Sequence, residues 1–318
     1  MARRGPSRRA VLGLAAALPL ATPPVPARAA VNGIAALPGW RPAAFDRAAA
    51  ALGHLPPFDA GLSGPAFTAG WAARPVGDTH ITAYYEPVIE ARRTRSAAFP
   101  IPVLAPPGGD GPWPARGAIM TGALEGRARP LYWLRDAVTL YYLQIQGSGR
   151  LELEDGTLVR LGYAGRNGHP YASIGRIMRD EGLMAEVDGR GVRGWLRDDP
   201  VRGAAMMARN PSYIFFAERS GLAPEDGPVG AMGLPLPAGH AVAIDPDHHP
   251  FGTLFWLRFD HPDGRAIARL VMAMDRGAAI KGAARVDLFT GTGDAAWEEA
   301  QAINTTGRLW RLAPAASP

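Results

Sequence analysis

The chain has 318 residues, 47% hydrophobic and 20% charged, with a formal net charge of +5 and no cysteine. The missing Cys excludes disulfides, Cys-ligated zinc, a thiol nucleophile and a lipid-modified N-terminal Cys. The excess charge sits in residues 1–29, which hold five Arg and no acid; the 29 basic and 29 acidic side chains that remain cancel, and no basic run among them is dense enough to suggest a phosphate track.

Arg3, Arg4, Arg8 and Arg9 precede an apolar run over 10–20, and Ala27-Arg28-Ala29 is a small-x-small cleavage signal. This predicts a secretory signal peptide over 1–29, with Arg8-Arg9 compatible with either twin-arginine or general export. No later stretch reaches about 18 uninterrupted apolar residues. The expectation is an exported, periplasmic protein that is soluble once the signal is removed.

Residues 40–55 read as a helix stopped by Pro56-Pro57. From Thr79 the pattern turns to strand, running over 81–85 and through Pro87 to Val88-Ile89. Residues 105–116, rich in Pro and Gly, read as a surface loop. The stretch 140–163 carries the clearest β signal: 151–154 alternate, Asp155-Gly156 is a tight-hairpin dipeptide, and 158–161 resume the strand. Residues 171–184 form an amphipathic helix with Ile174, Ile177 and Met178 on one stripe. Residues 191–209 are helical with a break near Pro200, and 213–216 make an apolar strand. The last third is β, with strands over 241–244, 254–259, 269–274, 285–289 and 308–312. This order predicts a mainly β fold with some α, in which a barrel is interrupted by an inserted domain.

Three aspartates of the last third are candidate reactive groups. Asp245 opens a turn, Asp275 ends a strand, and Asp287 lies between apolar neighbours. On a strand Arg285, Asp287 and Phe289 share one face. A carboxyl among apolar residues is costly to ionise, and a protonated Asp is what general-acid attack on a glycosidic bond requires. The alternative for each is a capping or Arg-paired structural role. Lys281, the single Lys of the chain, stands in a small-residue turn, where Arg's wider head would not fit. Gln146 and Ser148 are neutral donors and acceptors suited to sugar hydroxyls. His169 reads as a structural helix-entry residue. The spacing of His240, Asp247, His248, His249 and His261 matches no helix-borne metal pair, so no metal or other cofactor is expected. There is no nucleophile elbow, phosphate-binding loop or dinucleotide fingerprint.

Together these segments resemble the membrane-bound lytic murein transglycosylase A family. The resemblance rests on Thr82-Ala-Tyr-Tyr-Glu-Pro87, Ala91-Arg92 with Thr94-Arg95, and Gln146-Gly-Ser-Gly149. It continues in Gly162-Tyr-Ala-Gly-Arg-Asn-Gly-His-Pro-Tyr171 with Ser173-Ile-Gly175, and in Asn210-Pro-Ser-Tyr-Ile-Phe-Phe216. The last third adds Pro235-Leu-Pro237, Ala243-Ile-Asp245, Pro250-Phe-Gly-Thr253, Asp275-Arg-Gly-Ala-Ala-Ile-Lys-Gly282 and Asp287-Leu-Phe289. These motifs span about residues 40 to 315 in order.

The resemblance implies a double-psi β-barrel domain built from 30–87 and 225–315. A smaller β-rich domain, 88–224, would be inserted in it, with a glycan groove between the two. It implies Asp287 as the catalytic acid, supported by Asp275, Asp245 and Lys281, and substrate contacts from Thr82, Tyr84, Gln146, Ser148 and Asn167. The implied reaction cleaves the β-1,4 bond between N-acetylmuramic acid and N-acetylglucosamine, leaving a 1,6-anhydro end. Asp275 would help raise the pKa of Asp287, and Arg285 is expected to lean away from it. The implied partner is the peptidoglycan glycan strand, with other cell-wall enzymes as candidates and no nucleic acid or nucleotide. An endoglucanase-like hydrolase and a non-catalytic peptidoglycan-binding barrel are the alternatives. Ala83 and Ala278 stand where family members often carry Gly. The lipid-modified Cys implied by the family's name is absent.

Overall fold

The computed structural model describes residues 33–58, 61–184 and 187–315. The expected signal peptide, 1–29, lies outside the described residues. In chain order the elements are α1 (Pro42–Leu52), α2 (Gly64–Gly70), β1 (Trp71–Glu86), β2 (Val88–Glu90), β3 (Ile101–Leu104), α3 (Arg116–Met120), β4 (Pro130–Leu134) and α4 (Ala137–Gln146). They continue with β5 (Ser148–Glu152), β6 (Leu158–Arg166), α5 (Ile174–Asp180), α6 (Gly189–Asp198), α7 (Pro200–Ala208) and β7 (Ile214–Arg219). The chain ends with β8 (Ala241–Ala243), β9 (Leu254–Asp260), β10 (Ala266–Asp275), β11 (Arg285–Thr292), α8 (Asp294–Ala302) and β12 (Asn304–Pro314).

Six strands close a barrel in the order β1-β11-β8-β10-β9-β12. β1 runs parallel to β11 and β8 parallel to β10; the other pairs are antiparallel. Alternation along these strands sends Ile81, Val242, Phe255, Leu257, Val271, Val286 and Leu288 into one cluster of fully buried side chains. A second cluster joins the opposite parity of the same strands, including Trp256, Leu270, Met272 and Trp310, to α1 and α2. Pro42 opens α1, and its buried residues Ala44, Phe45, Ala48 and Leu52 recur at helical spacing. Each fully buried Phe or Leu contributes about 1.5–3 kcal/mol of transfer free energy.

The intervening segment builds the sheet β2-β5-β6-β7, the pair β3-β4 and a helical layer. Acidic and Ser side chains start its helices. Ser173, Asp188 and Asp199 accept from backbone N–H groups in the first turns of α5, α6 and α7. At its centre Arg116, 3% exposed, donates to the carbonyls of Asn210 (3.1 Å) and Ser212 (2.6 Å) and to Gln144, and lies over the Tyr141 ring. Where this segment leaves the barrel, Arg150 on β5 meets the buried Glu86 carboxylate at 2.7 Å and donates to the carbonyls of Pro224 and Asp226. One charge thus ties the exit and the return of the chain.

Several expectations need correction. The β reading of 140–163 fails over its first part: residues 137–146 are helix α4. The Asp136 side chain accepts from Thr139 N at 2.7 Å and Gly147 ends the helix at φ 81, so two flanking caps override the β-favouring aromatic and branched residues between them. The helix expected over 171–184 is confined to Ile174–Asp180. β1 begins eight residues before Thr79, because Trp71 already pairs with Pro314 of β12. Helix α8 was not anticipated; it packs Ala296 and Ala300 against Tyr85.

Candidate active site

The site begins with register. Thr82 of β1 pairs with Asp287 of β11, Asp287 pairs with Ala243 of β8, and Ala243 pairs with Asp275 of β10. Directly opposed residues share a sheet face. Asp275 would fall on the wrong face by simple alternation, since Val271 and Ala273 are in the fully buried cluster. A bulge between Ala273 and Asp275 corrects this and turns the carboxyl toward Asp287.

Side chains complete the row. The Thr82 hydroxyl donates to Asp287 Oδ1 in a short hydrogen bond. Arg285 Nη2 donates to the same Thr82 oxygen at 2.7 Å. A guanidinium can only donate, so Thr82 accepts from Arg285 and its own proton goes to Asp287. Tyr84, on the Thr82 face, donates its phenol to Asp275 Oδ2 at 2.8 Å, and Ala231 N donates to Asp275 Oδ1 at 2.9 Å. Asp275 therefore has both oxygens engaged, whereas Asp287 Oδ2 has no protein partner among the described residues.

Burial is the largest influence on Asp287 and pushes its carboxyl above the ordinary aspartate range. The Thr82 bond and the Arg285 charge pull it down, and Asp275 pushes it up. Asp275 is also raised by burial, against hydrogen bonds from Ala231, Arg276 and Tyr84. Burial and then Asp275 hold the Tyr84 phenol well above its usual value. Arg285 does not lean away as expected. It is clamped to Thr82 and to the Val286 carbonyl at 2.7 Å, and it opposes the raised pKa of Asp287. Alternation alone put Arg285 and Asp287 on one face; the missing signal was Thr82, on a strand whose contact to Asp287 is 205 residues away.

Asp245 is engaged by Lys281 and Gly282. The Asp245 carboxylate accepts from Gly282 N at 2.9 Å and lies 3.4 Å from Lys281 Nζ. The Gly282 bond holds Asp245 below the ordinary range. Gly282 itself takes φ 92, where a side chain would be strained. Asp245 thus fastens the loop between β10 and β11 as an anion. The Lys281 side chain is 64% exposed, so the expected exclusion of Arg's wider head has no steric basis.

The neutral candidates divide. Gln146 Oε1 accepts from Tyr85 N at 3.1 Å, which sets the end of α4 against the Tyr84 end of β1. Ser148 starts β5 and is 9% exposed. Asn167 is not on a groove. It is fully buried, donates to the carbonyls of Pro114 and Pro211, and accepts from Tyr213 N at 2.8 Å. Its amide is consumed as an internal strut, a role that its polar, glycine-flanked sequence could not distinguish from sugar binding. His169 contacts the Trp113 carbonyl, His240 that of Leu270 and His249 that of Ala283. Among the described residues no three His, Asp or Glu side chains gather as a metal site.

A family model described as the MltA specific insert domain matches residues 80–217, and one described as the 3D domain matches residues 240–313. A crystal structure of a membrane-bound lytic murein transglycosylase from Agrobacterium tumefaciens is 31% identical, with a TM-score of 0.72 over 79% of this chain and 78% of that one. The chain belongs to the MltA family. All three candidate aspartates lie in the 3D segment, and Thr82 and Tyr84 lie at the start of the other match. The Escherichia coli K12 protein named membrane-bound lytic murein transglycosylase A is 33% identical over 246 residues, 74% of this chain. The chain spans 66% of the length of that relative. E. coli MltA with bound chitohexaose is 30% identical with a TM-score of 0.71, over 77% of this chain and 76% of that one.

Proposed function

We propose that this MltA-family protein is a lytic transglycosylase acting on peptidoglycan, and that Asp287 is its acid and then its base. The observation that carries this reading is one carboxyl with a raised pKa, one oxygen fixed by Thr82 and the other free. Protonated Asp287 donates to the oxygen between N-acetylmuramic acid and N-acetylglucosamine. The C1–O bond breaks, and the N-acetylglucosamine leaves with that proton on its oxygen. The Asp287 carboxylate, stabilised by Thr82, then takes the proton of the muramic C6 hydroxyl, whose oxygen closes on C1 as the 1,6-anhydro ring. No water and no second nucleophilic carboxylate are consumed.

A hydrolase would need a second carboxylate to activate water. Asp275 is poorly placed for that, because Tyr84 and Ala231 occupy both its oxygens. Its part is to shape the field around Asp287. Gln146 and Ser148 are proposed to meet the glycan, which would lie between the 88–224 insert and the 30–87 plus 225–315 barrel. The pairing of parallel β1/β11 with parallel β8/β10 supports a double-psi barrel. Export by residues 1–29 to the periplasm completes the proposal. Among the described residues no helix is long and apolar enough to cross a membrane.

The test is digestion of purified sacculi by the parent and by Asp287→Asn, with mass spectrometry of the fragments. The parent yields anhydromuropeptides and the variant loses about 10²–10⁴ in rate, the usual worth of a positioned general acid. Reducing ends from the parent, or full activity of Asp287→Asn, would overturn the proposal.

A further inference from the structure

A cavity of about 360 Å³ opens between α1 and β10. It is lined by Arg47 of α1, His240 before β8 and Arg269 of β10, with Ala44, Ala266 and Ala268 among its small walls. None of Thr82, Tyr84, Asp275 or Asp287 lines it. No carboxylate lines it either. Among the described residues neither Arg47 nor Arg269 forms an ion pair or a side-chain hydrogen bond. The carboxylate that acts on Arg269 is Glu299, which already meets Arg265 at 3.0 Å.

This convergence is built. His240 Nδ1 lies 2.8 Å from the Leu270 carbonyl, so that nitrogen carries the hydrogen and Nε2 is left for another partner. Gly239 lies against Arg269. A Cβ there would sit 2.1 Å from Arg269 Nη1, and the residue holds φ 73. A Cβ there would push the end of the Arg269 side chain aside, and the φ itself favours glycine. The arrangement is costly as it stands. Burial and then Arg269 and Arg47 oppose the charged form of His240, and burial likewise opposes that of Arg269, with Arg265 and Arg47 adding like charge. Two guanidinium forks and an imidazole around alanine walls match a tetrahedral oxyanion, whose negative charge would offset theirs in part.

We propose that this cavity binds a phosphate group, held by Arg47 and Arg269 and completed by His240. The ligand is a phosphate ester or free phosphate, in solution or as a phospholipid headgroup.

The test uses purified protein with isotopically labelled His, titrated with inorganic phosphate against chloride at equal ionic strength. Saturable shifts of the His240 ring and an upward move of its titration midpoint in phosphate are expected. Arg269→Gln should weaken phosphate binding about tenfold or more, the worth of a charge-assisted hydrogen bond, while leaving peptidoglycan cleavage unchanged. Arg47→Gln, on the exposed face of α1, repeats the test without touching a strand. Sedimentation with phosphatidylglycerol vesicles that phosphate reverses assigns the lipid source; phosphate binding without vesicle capture assigns a soluble one. Absence of both, or equal binding by parent and both variants, overturns the proposal.

Discussion

Replacing Thr82 by Val isolates the hydrogen bond that prepares Asp287. Val keeps the volume and the β-branched shape but removes the hydroxyl between Arg285 and Asp287. The lost bond matters most after the acid has given up its proton, when Thr82 donates to a carboxylate. Such a bond contributes about 1.5–3 kcal/mol. At about 1.4 kcal/mol per decade, the maximal rate should fall roughly ten- to a hundredfold. The pH profile supplies an independent sign. The Thr82 bond lowers the Asp287 pKa, so its removal raises it, and the alkaline limb of the rate profile should move to higher pH as the plateau drops. The assay is release of anhydromuropeptides from sacculi across the pH range in which both proteins remain folded. An unchanged plateau, or an alkaline limb displaced to lower pH, would refute the relay from Arg285 through Thr82 to Asp287.

Asp287→Asn should also change stability with pH. The folded-state pKa is raised above an unfolded value of about 3.9, so the carboxyl's contribution is fully present below that value and is lost as pH rises through the folded pKa. The Asn variant should therefore melt above the parent at neutral and alkaline pH, with the gap closing toward acid; a gap that widens toward acid contradicts the assignment. Arg150→Met should cost about 3–5 kcal/mol in urea unfolding, because it strands the Glu86 carboxylate, 1% exposed; an unchanged midpoint would remove Arg150 as the tie between exit and return. Asn167→Ala should destabilise by about 1–3 kcal/mol for each buried group left unpaired, with KM for sacculi unchanged in the folded fraction. Intact stability with weakened substrate binding would return Asn167 to the groove.

Much of the local structure was legible in the sequence. Apolar, β-branched and aromatic runs marked the strands around Ile81, Leu254 and Val286, and Asp155-Gly156 marked the β5–β6 turn. Pro200 marked the break between α6 and α7, where Asp199 caps the second helix. These signals are local, set by backbone sterics and by one side chain bonding to its own neighbourhood. The α4 segment has a strand-like composition, while the caps at Asp136 and Gly147 decide for helix. The resemblance assigns Asn167 to the substrate, and a polar residue in a turn looks the same in sequence whether it faces a ligand or four backbone groups.

The sequence by itself determined the three aspartates, the strands that carry them and the apolar neighbours of Asp287. What it could not settle is which side chains gather around each of those aspartates. Barrel closure brings Thr82 to Asp287 across 205 residues. The β10 bulge rotates Asp275 onto the same face, and the loop before β11 brings the Gly282 N–H to the Asp245 carboxylate. Register, bulge and loop closure depend on contacts between distant strands, and a contact between distant strands has no local pattern to announce it.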